Sequence, residues 1–118
     1  MKGKVFLVHW NTQEAEILAD MVRSYGWEVE FESEDGSRAS RTVKEKKPNA
    51  VVIFLARQPS HGRETGEAIR ANRSTKDLPI VYVDGSEEVI ERVKNKVSGA
   101  IFTETEKLAE VLAQFSYQ

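Results

Sequence analysis

An α/β fold, a three-layer, doubly wound sheet of five parallel strands in the order 2-1-3-4-5, is predicted by three features of this 118-residue sequence. Short apolar runs alternate with amphipathic stretches from end to end. The connections are brief, so successive strands must return in the same direction through a covering helix. The apolar runs are rich in β-branched residues, as befits strands buried on both faces. The length suits one hydrophobic core and not two, so a single domain is expected over residues 1–118.

Val5-Phe6-Leu7-Val8 is the first apolar run. Asn11 or Thr12 caps the helix that follows, with Glu14 and Glu16 near its positive end. Ala15, Leu18, Val22 and Tyr25 recur at helical spacing, and Gly26 supplies a stop. Trp27 to Phe31 alternates apolar and charged residues, the pattern of a half-exposed edge strand. Asp35 to Lys47 reads as a polar helix whose inner face holds Ala39 and Val43, ended by Pro48. Ala50 to Leu55 is the most apolar run and belongs at the sheet centre. A loop through Pro59 and Gly62 is expected to lead to a third helix near Arg63 to Arg73. Gly66 inside that helix should cost about 1 kcal/mol relative to Ala, which either close packing or an exposed face must explain. Pro79 opens the strand Ile80-Val81-Tyr82-Val83, and Asp84-Gly85-Ser86 makes a turn and the next cap. Val89, Ile90, Val93 and Val97 line the fourth helix, Gly99 to Phe102 forms the fifth strand, and Leu108, Val111, Leu112 and Phe115 stripe the last helix.

Composition narrows the function classes. The chain is 40% hydrophobic and 31% charged, the mixture of a soluble globular protein. A net charge of -2 lacks the basic excess of a nucleic-acid binder. The second helix is basic through Arg38, Arg41, Lys44, Lys46 and Lys47, but Glu34, Asp35 and Glu45 make it an ordinary exposed face. Cysteine is absent, so disulfides, thiolate metal sites and a cysteine nucleophile are excluded. The four apolar residues after Lys4 are too few for a signal-peptide core or a membrane span. A cytoplasmic protein without nucleic-acid or membrane partners is expected.

The punctuation of the chain resembles the receiver domain of bacterial two-component response regulators over nearly its whole length. Lys4-Val5-Phe6-Leu7-Val8 is similar to the family's first strand, and Pro48-Asn49-Ala50-Val51-Val52-Ile53 to the approach to its phosphorylation site. Pro59, Gly62, Ile69 and Arg70 fall where the next loop and third helix of receivers place a proline, a glycine, a leucine and an arginine. Leu78-Pro79-Ile80-Val81 resembles the fourth-strand entry. The resemblance implies the flavodoxin-like, CheY-like fold already expected. It also implies five chemical positions, and this sequence departs at each. His9 and Trp10, followed by Asn11, replace the acidic pair that holds Mg²⁺. Phe54 replaces the phosphate-accepting aspartate, or Leu55 does if the residue before Pro59 is placed differently. Asp84 stands for the Thr or Ser closing strand four, and Glu104 for the lysine closing strand five. Ile101 takes the place of the aromatic switch residue, with Phe102 adjacent.

Phosphoryl transfer to a carboxylate needs a nucleophilic oxygen and neutralisation of charge on the phosphoryl oxygens. Phe54 has no lone pair, Trp10 donates one N–H and accepts nothing, and His9 suits softer metals than Mg²⁺. Two carboxylates, Asp84 and Glu104, about 5 Å from a phosphate would each cost roughly 3 kcal/mol at an effective dielectric near 20. No catalytic residue, metal or cofactor is therefore expected. The expected function is that of a degenerate receiver acting without phosphorylation, through a protein partner or self-association. The family's interaction face, helix four, strand five and helix five, draws here on Glu87, Glu91, Lys94, Ile101, Phe102, Lys107 and Glu110.

The same residues admit other chemistries, each beside a plainer reading. His9, Asp84 and Glu104 at one sheet edge form a donor set for zinc or an acid/base pair, against a hydrogen-bonded polar cluster, which we expect. Arg57, His61 and Arg63 form an anion-binding loop before a helix N-terminus, or else a solvated loop. The alternative function is a small flavodoxin-like domain holding a nucleotide or flavin at the strand C-termini. Asn11-Thr12 resembles a phosphate loop only faintly, without a glycine.

Overall fold

Five parallel strands form one sheet in the order β2-β1-β3-β4-β5, in a computed structural model that describes Lys2–Tyr117. The first and last residues of the domain expected over 1–118 lie outside the described residues. The strands are β1 (Lys4–Val8), β2 (Glu28–Glu32), β3 (Ala50–Phe54), β4 (Ile80–Val83) and β5 (Ile101–Thr103). The helices between and after them are α1 (Thr12–Ser24), α2 (Gly36–Lys46), α3 (Pro59–Ala71), α4 (Glu87–Lys96) and α5 (Leu108–Ala113), the last preceded by a 3-10 turn at Thr105–Lys107. The register sets Val5 opposite Ala50, Phe54 opposite Val83 and Val83 opposite Thr103.

The period of two along each strand divides the core into two layers. Leu7, Val52, Phe54, Val81 and Val83 face Ala15, Ala19 and Val22 of α1 and Leu108 and Leu112 of α5. Phe6, Val8, Ile53, Ile80 and Tyr82 face Ala39 and Val43 of α2, Ile69 of α3, and Val93 and Val97 at the end of α4. β3 is buried along its whole length, as its unbroken apolar run predicts. β2 lies at the edge, with Val29 and Glu32 buried and Glu28 and Glu30 exposed. Asn11 caps α1 by accepting from the Glu14 amide, and Asp35 caps α2 by accepting from the amides of Ser37 and Arg38.

The expected third-helix boundary needs correction. α3 begins at Pro59, four residues before Arg63. A proline at the first helical position has the required φ and lacks only an amide that would be unpaired there anyway. Gly62 is not a loop residue: a Cβ there would lie 3.0 Å from Ile53 Cγ2 and 3.2 Å from Leu55 Cδ2. The helix needs a glycine to press against the end of β3. Gly66, one turn later, is also a packing position, since a Cβ there would meet the Tyr82 hydroxyl at 1.9 Å. β5 is shorter and later than the Gly99 to Phe102 segment expected, running over Ile101–Thr103.

Candidate functional site

The C-terminal ends of the strands bring His9, Trp10, Phe54, Asp84 and Glu104 to one edge of the sheet, the edge at which open α/β sheets bind ligands. His9 follows β1, and its amide donates to the Glu32 carbonyl at 3.2 Å. Its ring is 2% exposed and lies against Phe54, with centroids 5.4 Å apart and planes tilted by 31°. His9 Nε2 is 3.4 Å from Glu14 Oε1, while Glu14 is gripped through its other oxygen by the Arg57 guanidinium. Burial holds the imidazole below its ordinary pKa; Glu14 opposes that shift and Arg57 adds to it. The hydrogen bond from Arg57 in turn holds the Glu14 carboxyl below the usual range. His9 Nδ1 is buried and has no protein partner.

Trp10 is half-buried and meets His61 edge to face, at 5.2 Å between centroids. Phe54 closes β3 and Leu55 follows it, each 2% exposed. Phe54 belongs to the layer under α1 and α5, Leu55 to the opposite one. Under either alignment the position at the end of the central strand is a buried hydrocarbon side chain. Asp84 has φ 60, and its carboxylate accepts from the Thr105 amide at 3.0 Å and from the Thr105 hydroxyl. It thereby clasps the turn after β4 to the turn after β5. Glu104 is exposed and borders, with Asp84, Phe102 and Lys107, an open cleft of about 390 Å³.

Among the described residues, no three His, Asp or Glu side chains are grouped to hold a metal ion. The donor set His9, Asp84 and Glu104 is not assembled: His9 turns into the core toward Phe54 and Glu14, and Asp84 is committed to Thr105. The loop cluster Arg57, His61 and Arg63 also comes apart. His61 and Arg63 lie inside α3, Arg57 pairs with Glu14, and Arg63 pairs with Glu67 one turn on at 3.2 Å. The first turn of α3 thus aims no arginine fork at an anion.

Sequence reasoning missed Glu32. This residue ends β2 and is 8% exposed, yet it carries a carboxylate. Arg38 Nε and Nη2 donate to its two oxygens at 2.7 Å and 2.9 Å, and the amides of Glu34 and Asp35 add two more bonds. That donor set, the Arg38 fork foremost, pulls the carboxyl down to about 2. The usable signal was an acid closing an edge strand six residues before an arginine, on the same side as the exposed Glu28 and Glu30.

The residues expected to form an interaction face differ in exposure. Glu87, Glu91, Lys94, Lys107 and Glu110 are exposed, and Ile101 and Phe102 are half-buried. Phe102 stacks on Tyr82 with centroids 5.6 Å apart, and Lys94 Nζ sits 5.7 Å above its ring centroid. Ile101 packs instead into the layer beneath α1 and α5. Tyr82 donates its hydroxyl to the Gly62 carbonyl at 2.9 Å, and burial raises its phenol well above the ordinary value.

Solved structures superpose on this arrangement across its length. The receiver domain of a sensor histidine kinase from Pseudomonas aeruginosa matches with a TM-score of 0.81 over 98% of both chains, at 18% identity. The fold is that of a receiver domain. The chemotaxis protein CheY4 of Vibrio cholerae matches with a TM-score of 0.80 over 98% of this chain and 99% of its own, at 18% identity. A putative response regulator from Chloroflexus aurantiacus does so with a TM-score of 0.81 over 98% of both chains, at 17% identity. No family model and no curated protein matches the sequence. Among its described residues, no helix is long and apolar enough to cross a membrane.

Proposed function

We propose that this receiver-type chain is a signalling module that works without phosphorylation, by binding a protein partner or a second copy. The observation that carries this reading is the end of β3, where Phe54 and Leu55 are both buried and Phe54 lies against His9. A receiver's phosphoryl acceptor must be a carboxylate oxygen reachable from solvent, and this position offers neither property. His9, Trp10, Asn11, Phe54, Asp84 and Glu104 are assigned as the counterparts of the family's chemical positions.

The Pseudomonas domain is described with a magnesium ion coordinated in its active site cleft. The residues at the corresponding edge of this chain do not fit that ion. Mg²⁺ needs hard oxygen ligands in octahedral array. Here Glu14 is neutralised by Arg57 and Asp84 is used by Thr105. His9 offers only nitrogen from within the core, and Trp10 offers an N–H. Asn11 Oδ1 already accepts from the Glu14 amide at 3.0 Å. No phosphoryl step is derived for this edge.

The partner face is assigned to α4, β5 and α5, a stretch that carries the exposed Glu87, Glu91, Lys94, Lys107 and Glu110 and the half-buried Phe102. A mixed-charge rim about an aromatic ring fixes orientation more than it supplies affinity. The module is assigned no catalytic activity and a cytoplasmic setting. The direct experiment is incubation with Mg²⁺ and acetyl phosphate, followed by intact-mass analysis beside an active receiver. An unchanged mass is expected. An acid-labile phosphoryl adduct on this chain would overturn the proposal.

A further inference from the structure

The charges of this molecule are sorted by sheet edge. The segments at the N-terminal edge, residues 2–4, 23–28, 44–49, 70–79 and 94–100, hold eleven lysines and arginines against three acidic residues. Those at the C-terminal edge, residues 9–16, 32–38, 55–64, 84–91 and 104–110, hold thirteen acidic residues against four basic ones. The chain is nearly neutral at -2, yet its two ends carry about +8 and -9 by the same count.

Part of this follows from helix dipoles, which favour acids in first turns and bases in last turns, as in α4. The dipoles do not account for Lys2 before β1, or for Arg73 and Lys76 in the α3–β4 connection. Nor does internal pairing consume the excess. Among the described residues, Lys2, Lys44, Lys47, Arg73, Lys76 and Lys96 are exposed and join no ion pair. The same holds at the other end for Glu34, Glu87, Glu91, Glu104, Glu106 and Glu110.

We infer that this chain associates head to tail, the basic N-terminal edge of one copy seated on the acidic C-terminal edge of the next. The occupant is a second copy because each copy carries both complementary surfaces, and a net charge near zero leaves little repulsion between copies. The contact is heterologous, so it propagates into short chains and does not close as a two-fold dimer. Each pair of exposed, solvated charges across such a contact contributes about 0–1 kcal/mol. Such a contact is weak, reversible and governed by salt. At about 0.01 M ionic strength the Debye length, ~30 Å, spans the molecule, and at about 1 M it is ~3 Å. This inference concerns the two ends of the sheet and does not rest on the absence of phosphorylation.

Sedimentation velocity on the whole chain at low and high salt tests it. The wild type should show a weight-average mass that rises with protein concentration at low salt and falls to the monomer, 13.4 kDa, at high salt. Lys47→Gln/Arg73→Gln/Lys76→Gln and Glu87→Gln/Glu91→Gln/Glu104→Gln should each remain monomeric at low salt. Their equimolar mixture should form a species of twice the monomer mass and nothing larger, because one complementary pair of ends survives. A salt-independent mass for the wild type, association retained by either triple variant alone, or a mixture that stays monomeric would each overturn the inference. So would a monomeric wild type that binds anionic phosphatidylserine vesicles through the three basic residues, since the basic edge would then serve a lipid surface.

Discussion

Gly66→Ala separates local helix propensity from tertiary packing, because the two predict opposite signs. On an exposed helix face the replacement should stabilise the protein by about 1 kcal/mol. Here the added methyl would sit 1.9 Å from Tyr82 Oη, and 3.1 Å from both Tyr82 Cζ and Val97 Cγ2. Tyr82 cannot simply withdraw, since its ring is 1% exposed, stacked on Phe102 and bonded to the Gly62 carbonyl. Overpacking of a filled core costs about 1–3 kcal/mol, and loss of the buried hydroxyl bond adds roughly 1 kcal/mol. Set against the helical gain, Gly66→Ala should destabilise by about 1–3 kcal/mol. Tyr82→Phe alone should cost about 1 kcal/mol, but it removes the atom in the worst clash. The double variant should therefore be more stable than the sum of the singles, by a coupling of roughly 1–2 kcal/mol. Urea unfolding followed by circular dichroism, with a shared slope for all four proteins, gives the cycle. A stabilised Gly66→Ala, or strictly additive single effects, would refute the packing argument.

The Glu32 carboxyl, held at about 2 against an ordinary 4.5, binds fewer protons in the folded state, so its contribution is complete above about 4.5 and is lost as pH falls toward 2. Because Arg38 is half exposed, solvent screening reduces that contribution to about 2 kcal/mol; Glu32→Gln should remove it and flatten urea midpoints over that pH range. The His9 pKa is lowered from 6.5, so the unfolded chain takes up the proton more readily; the stability from the neutral ring is complete above 6.5 and declines below it. Imidazole NMR should give a His9 midpoint below 6.5, and a midpoint above it would contradict the buried, neutral ring. Asp84→Ala removes two bonds to Thr105 and leaves a Cβ at φ 60, so thermal unfolding should show a loss of roughly 1–2 kcal/mol. Asp84→Gly keeps the backbone at ease and should lose less.

The inner strands β1, β3 and β4 were legible because burial on both faces leaves an unbroken mark. Ile80 to Val83 appears as a strand with the same bounds, and Ala50 to Phe54 is the central one. The start of α3 was not legible, because Pro59 and Gly62 are ambiguous in sequence. Either breaks structure in isolation, whereas here one opens the helix and the other lets it touch Ile53. At the candidate site, the residues at strand ends could be placed from the strands themselves. Their partners could not. Glu14 and Arg57 are 43 positions apart and Asp84 and Thr105 are 21 apart, distances at which only the closed sheet decides proximity. For Gly66 the sequence admits two explanations, and only the position of Tyr82 on β4 chooses between them.

Those long-range partners also explain how a carboxylate-rich edge holds together beside a hydrophobic strand end. Glu32, Glu14 and Asp84 each meet donors from their own chain: the Arg38 fork, Arg57, and the amide and hydroxyl of Thr105. Each bond ties a connection to a neighbouring element, so these acids fix the loops and are not available to coordinate an ion. Among the described residues, the acids left over, Glu34, Glu87, Glu91, Glu104, Glu106 and Glu110, are exposed. This edge therefore presents unpaired carboxylates to solvent, while Phe54 and Leu55 at the end of the central strand are buried. By charge placement alone, such a surface attracts cations and repels phosphate.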